Sequence, residues 1–133
     1  IIRSLVKNNK IPIYGDGQQI REWLFVEDHC DAILKVINKG VIGESYNIGS
    51  KNEIANIELV KKIIKAYNNI TGSNKDLNSS VKYVKDRLGH DFRYSVNCKK
   101  LQSQLGWKNE TPFMKSLTQT INWYLNNPKW LNL

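Results

Sequence analysis

Hydrophobic and polar positions switch between helical and strand periods along this chain, and the switches cut it into short elements. Residues 1–9 read as the end of a helix. Ile11 to Tyr14 reads as a strand that Pro12 confines to a strand start or a sheet edge. Gly15-Asp16-Gly17 is a turn, and the aromatic run Glu22 to Val26 predicts a second strand. Asp28 is placed as the N-cap of a helix to about Lys39, with Cys30, Ile33, Val36 and Ile37 on its inner face and Gly40 as its stop. Ser45 to Ile48 predicts a third strand, closed by Gly49.

Asn56 is placed as the N-cap of the next helix. There Val60, Ile63, Ile64 and Tyr67 recur at i, i+3, i+4 and i+7. Thr71 to Ser80 is polar and is expected to be a loop, the point most open to disorder or proteolysis. Val81 to Val84 is a short strand. Asn97 caps a helix through Leu105 that Gly106 stops, and Pro112 suits the first turn of a last helix carrying Phe113, Leu117, Ile121 and Tyr124. Helices and short strands alternate without an internal repeat or a second domain, so the expected class is α/β or α+β.

Composition narrows this picture. The 133 residues suffice for one domain with a modest core. Hydrophobic residues make up 41% and charged residues 24%, as in ordinary globular proteins. No apolar run approaches the ~20 residues of a membrane span. The first residues do not form a signal-peptide pattern. They lack an initiator methionine and read as a helix already under way, so a piece of a longer chain is expected. Cys30 and Cys98 have no metal-ligand spacing. Cys30 is expected in the core, a disulfide is not expected, and the cytoplasm is the default location.

The net charge is +8, which raises nucleic acid as a partner. Sixteen of the twenty cations are lysines spread along the whole chain. No basic tract interleaved with aromatics, zinc finger or RNP-type motif accompanies them, which argues against nucleic acid.

The densest chemistry lies in Asp86-Arg87-Leu88-Gly89-His90-Asp91-Phe92-Arg93-Tyr94. Guanidinium groups present a planar fork of donors that suits phosphate, and glycine lets backbone approach a ligand. Such a loop can hold a diphosphate. The same composition also suits a solvated turn tied by local ion pairs. Arg21 is a second phosphate ligand, with pairing to Glu22 or Glu27 as its alternative. Asn56 is a third polar group, at a helix start that favours anions. Tyr14 offers a ring or a hydroxyl to a base, or is a half-buried strand aromatic.

Other motifs fail. Gly15-Asp16-Gly17-Gln18-Gln19-Ile20 nearly spells the dinucleotide fingerprint, but it lacks the third glycine and runs into a strand. None of the six tyrosines has a lysine four residues on; Tyr83 reaches Arg87. No nucleophile elbow or P-loop occurs. His29 and His90 have no metal-ligand partners nearby, and His29 reads as a first-turn helix residue.

Three blocks carry a family resemblance: Pro12 through His29, Gly43-Glu44-Ser45-Tyr46-Asn47-Ile48-Gly49, and Asp86-Arg87-Leu88-Gly89-His90-Asp91 with Arg93-Tyr94. Leu105-Gly106-Trp107 and Trp123-Tyr124 fit as well. Together they resemble the C-terminal part of nucleotide-sugar 4,6-dehydratases of the extended short-chain dehydrogenase/reductase family. The resemblance implies the α/β substrate-binding portion of a Rossmann-type enzyme whose Rossmann half is absent here.

It implies a dTDP-linked sugar as substrate, with Pro12, Ile13 and Tyr14 lining the base pocket. Arg21 would bind the diphosphate, and Asn56 would lie near the nucleotide. Asp86, Arg87, Leu88, Gly89 and His90 would close over ribose and phosphates. It also implies NAD, a Tyr-x-x-x-Lys pair and the acid/base groups on the absent half, and a homodimer formed largely through that half. Leu88 stands where the family usually has proline, which leaves the loop less rigid. The alternatives are a related UDP-sugar epimerase or decarboxylase and a non-catalytic nucleotide-sugar-binding module.

Overall fold

The structure, a computed structural model, describes residues 1–132. A short helix α1 (Ile2–Val6) leads into strand β1 (Ile11–Tyr14), then β2 (Ile20–Glu22) and helix α2 (Val26–Lys39). Strand β3 (Glu53–Ala55) runs directly into helix α3 (Asn56–Thr71). A single helical turn, α4 (Leu77–Ser80), precedes strand β4 (Val81–Val84), and β5 is Arg93–Tyr94. Helices α5 (Lys99–Leu105) and α6 (Phe113–Asn126) follow, with a 3-10 turn at Pro128–Leu131.

The strands form two small sheets. β1 pairs with β4 in parallel, Ile11 opposite Val81 and Tyr14 opposite Val84. Among the described residues β1 has no second neighbour, and the missing N–H of Pro12 costs no pairing there. In the other sheet β2 lies between antiparallel β3 and parallel β5. Period two sorts β1 by face: Ile11 and Ile13 enter the core, while Pro12 and Tyr14 share the exposed side.

The main core lies between α1, β1, α3 and α6. The helical stripe read from the sequence is the buried face of α3, where Val60, Ile63, Ile64 and Tyr67 join Leu5, Ile11, Ile13, Val81 and Ile121. Gly72 ends α3 at φ +71°, a left-handed position that favours glycine. A second cluster centres on Trp107, with Ala32, Leu101 and Leu105, and the Trp107 indole N–H donates to the Asp28 carbonyl at 3.2 Å.

Several expectations are corrected. The second strand occupies Ile20–Glu22 rather than Glu22–Val26, because Ile20 and Arg21 pair on both sides and pairing ends at Glu22. Helix α2 therefore begins at Val26, and Asp28 lies in its first turn, where its carboxylate accepts from the Thr111 hydroxyl at 2.9 Å. Ala55 rather than Asn56 is the N-cap of α3. The polar stretch 71–80 contains the α4 turn, capped by the Asp76 carboxylate through the Ser79 N–H. Cys98, not Asn97, is the N-cap of α5, although the Asn97 side chain still accepts from the Lys99 N–H at 2.9 Å.

Two larger differences share one cause. Cys30 is exposed, and so are Ile33 and Ile37; α2 buries only Ala32. Residues 45–48 form no strand. Side chains hold that segment instead: the Lys100 ammonium donates to the Ser45 carbonyl at 2.8 Å and lies 4.6 Å from the centroid of the Tyr46 ring. Both segments have the pattern of buried elements, and the described residues supply neither a neighbouring strand nor a covering layer.

Candidate functional site

The site begins at the end of β1. Strand β1 delivers the Tyr14 ring to the surface, half exposed. Gly15 then turns the chain at φ +57° and donates its N–H to the Val84 carbonyl at 3.0 Å. The parallel register brings β4, and the loop that follows it, alongside Tyr14.

That loop is organised by Asp86. One carboxylate oxygen accepts from the Arg87 N–H at 2.9 Å and lies 2.7 Å from His90 Nδ1; the other accepts from Gln19 Nε2 at 2.8 Å. These donors hold the Asp86 carboxyl below its ordinary range, the His90 contact contributing most. The anchor therefore persists through the usual carboxylate titration and is lost only as pH falls through the lowered value. The His90 side chain is 5% exposed, and its ring meets Tyr14 edge-on at 6.4 Å. The Arg87 guanidinium lies 6.0 Å from the Tyr14 ring centroid, a cation–π distance. Tyr14, Arg87 and His90 thus converge from two segments.

Arg21 joins from β2. Its guanidinium donates to the Asp91 carbonyl at 2.8 Å and to the Ile20 carbonyl at 2.7 Å. It forms no ion pair with Glu22 or Glu27: the Glu22 carboxylate instead accepts from the Lys51 and Val96 N–H groups. Arg87 likewise meets no carboxylate among the described residues. Arg87 beside the Tyr14 ring, with Arg21 tied to the same loop and neither held by a carboxylate among the described residues, makes a surface suited to a phosphate-bearing ligand. Asn56 reaches the same neighbourhood through its backbone, donating its N–H to the Gln19 carbonyl at 3.0 Å.

The remaining candidates divide. Pro12 shares the exposed face of β1 with Tyr14, whereas the Ile13 side chain packs in the core and backs the site from beneath. Leu88 is 99% exposed at the loop tip. Gly89 adopts φ +68°, and a methyl group added there would meet no atom within 4 Å. Within the loop His90 contacts Asp86 and Arg93 pairs with Glu53, the local pairing that the sequence allowed, while Arg87 and Arg21 meet no carboxylate among the described residues. Gln19 was not singled out by the sequence. One of two adjacent glutamines between Gly17 and Ile20, it carries no periodic signal, and its partner lies 67 residues away.

Two marked concavities lie elsewhere. Two apolar depressions of about 470 and 550 Å³ share Leu24, Phe25, Thr120 and Tyr124, and contain none of these residues. The candidate site is an open wall rather than an enclosed pocket.

A family model described as GDP-mannose 4,6 dehydratase matches residues 1–120. The chain belongs to this family. Among curated relatives, dTDP-glucose 4,6-dehydratase of Haemophilus influenzae is 46% identical over 131 residues, covering 96% of this chain and 39% of that protein. The solved structure of dTDP-glucose 4,6-dehydratase from Bacillus anthracis, in complex with NAD, is 40% identical with a TM-score of 0.83 over 97% of this chain and 39% of that one. The Streptomyces venezuelae dTDP-glucose 4,6-dehydratase with NAD and TYD bound is 36% identical, with a TM-score of 0.86 over 97% of this chain and 38% of that one. The chain spans less than two fifths of the length of the relatives it matches.

Family membership accords with the resemblance read from the three sequence blocks and with the α/β class. Among the described residues no helix is long and apolar enough to cross a membrane.

Proposed function

We propose that this chain is the C-terminal, substrate-gripping portion of a dTDP-glucose 4,6-dehydratase. Such an NAD-dependent hydro-lyase converts dTDP-glucose to dTDP-4-keto-6-deoxyglucose with loss of water. The observation that carries this reading is the convergence of Tyr14, Arg87 and His90 on a loop anchored by Asp86, with Arg21 bound to the same loop.

In this reading the Tyr14 ring, with Pro12 on the same strand face and Ile13 behind, receives the base. Arg87 and Arg21 hold the diphosphate, each charge-assisted contact contributing about 1.5–3 kcal/mol. Asn56 and His90 supply hydrogen bonds, and Gly89 lets the loop tip fold over the ribose.

The residues here do not fit NAD. Gly15 and Gly17 are spent on the β1–β2 turn, and Gly17 admits core rather than ligand: a methyl there would lie 2.8 Å from Ile13 Cγ2 and 3.0 Å from Ile57 Cβ. No Tyr-x-x-x-Lys pair occurs. NAD and the groups that move hydride and protons therefore belong to a part of the enzyme outside these residues. The exposed apolar face of α2 and the unpaired segment 45–48 are what such a division would leave uncovered. The complete enzyme is read as a cytoplasmic homodimer.

Calorimetry tests the reading. The chain should bind dTDP saturably and bind an oligonucleotide weakly at physiological salt. Oligonucleotide binding that is tight and falls steeply with salt would replace it with a nucleic-acid function, and tighter binding of UDP would overturn the choice of base. Incubated alone with dTDP-glucose, the purified chain should release no 4-keto product; turnover without added protein would refute the division of labour.

A further inference from the structure

We infer that Gln19 is a positioning residue for this site, holding the anion-binding loop in place through Asp86. The inference rests on the nucleotide-diphosphate reading above and adds to it a residue that touches no ligand.

Gln19 is 6% exposed, one of few buried polar side chains. Its Nε2 donates to Asp86 Oδ2 at 2.8 Å, across 67 residues of sequence. An ionised carboxylate only accepts hydrogen bonds, so the amide must present its nitrogen to Asp86. Its Oε1 then has no partner among the described residues. A buried acceptor left unpaired opposes folding, and an apolar residue of the same size would avoid that cost. The side chain is thus a poor core residue and a good tether.

The geometry around it supports the tether. Asp86 divides its oxygens, Oδ2 to Gln19 and Oδ1 to the Arg87 N–H and His90 Nδ1. Fixing Asp86 therefore fixes the two residues that face Tyr14. Gly15 leaves the necessary room, since a methyl group there would sit 3.0 Å from Asp86 Oδ2 and 3.3 Å from Gln19 Nε2. The Gln19 carbonyl also accepts from the Asn56 N–H. One residue thereby links the β1–β2 turn, the start of α3 and the loop.

The test is Gln19→Glu, read by dTDP affinity across pH. At pH 8 the variant opposes one carboxylate to another and the loop is released. Affinity should fall about tenfold or more relative to the unaltered chain, the effect of losing a hydrogen bond to a charged group. Towards about pH 5 the paired carboxyls share a proton, the tether re-forms, and the deficit should shrink. The other titratable or charged groups on the elements that meet position 19 are Asp16 and Arg21 on its own segment, Arg87 and His90 on the loop, and Glu58 in the first turn of α3, where it pairs with Lys61. Comparison with the unaltered chain at each pH removes their shared contribution.

The exchanged pair Gln19→Glu with Asp86→Asn restores one amide facing one carboxylate, and should regain affinity at pH 8. A Gln19→Glu variant that binds dTDP like the unaltered chain at pH 8 overturns the inference. So does an exchanged pair that binds no better than Gln19→Glu alone, and this second comparison decides the matter if the single variant loses cooperative unfolding. Failure of the unaltered chain to bind dTDP would instead count against the nucleotide-diphosphate reading itself.

Discussion

Alanine at position 107 should lower the stability of this protein by about 3–5 kcal/mol, the usual cost of truncating a buried aromatic. Trp107 is fully buried and fills the centre of the second core cluster, between α2 and α5. Its removal leaves a cavity that Ala32 and the two leucines are too short or too constrained to fill. It also strips the Asp28 carbonyl of its indole donor. Since whole domains are stable by only about 5–15 kcal/mol, the variant should unfold at much lower urea. Trp130, 62% exposed, is the control: Trp130→Ala should shift the midpoint little. Equal shifts for the two would show that the second cluster contributes nothing particular to the fold.

The second large effect is on binding. Arg87→Ala should weaken dTDP by about tenfold or more, the scale of a charge-assisted hydrogen bond. The guanidinium is exposed, lies over the Tyr14 ring and has no acidic partner among the described residues, so its loss disturbs no ion pair there. Stability should therefore be nearly unchanged while affinity falls. Lys75→Ala removes a positive charge at a distance from the loop, where the ammonium meets the Asn8 side chain. That variant should bind dTDP as before. Equal losses from the two would mean that binding follows net charge, and the specific diphosphate contact would be wrong.

The two predictions probe different layers of one arrangement. Trp107 keeps the first turn of α2 in place from below, through the Asp28 carbonyl. Arg87 acts at the surface and depends on the Asp86 anchor. Between them stands Arg21, whose bonds to Ile20 and Asp91 tie β2 to the loop. It both shapes the site and faces it, so its replacement would mix the two effects and separates nothing by itself.

Sequence legibility followed how local the decisive interactions were. The stripe on α3 was readable because helical period and burial coincide there. β1 and β4 were readable because each is short, apolar and bounded by turn residues. Helix starts were misplaced by one to three residues, since Asp28, Asn56 and Asn97 are all good cap residues and only backbone geometry selects among neighbours. The inner face assigned to α2 was correct as a pattern and wrong as burial. A stripe says that a face wants cover, and Cys30, Ile33 and Ile37 show that these residues do not provide it. The strand expected at 45–48 failed for the same reason: a strand is a pairing, and the described residues offer it no partner strand.

By itself the sequence determined the alternation of elements, the buried stripe of the longest described helix, and the crowding of aspartate, arginine, glycine and histidine into residues 86–90. These depend on residue type and on spacings of a few residues, which the chain states directly. Tertiary structure decided which of the candidate residues meet. It placed Ile13 in the core, turned Leu88 outward, left Arg21 and Arg87 without acidic partners among the described residues, and brought Gln19 under the loop. Each of those outcomes depends on contacts between segments far apart in the chain. The geometry of such contacts is set by the parallel pairing of β1 with β4 and of β2 with β5, which no local pattern specifies.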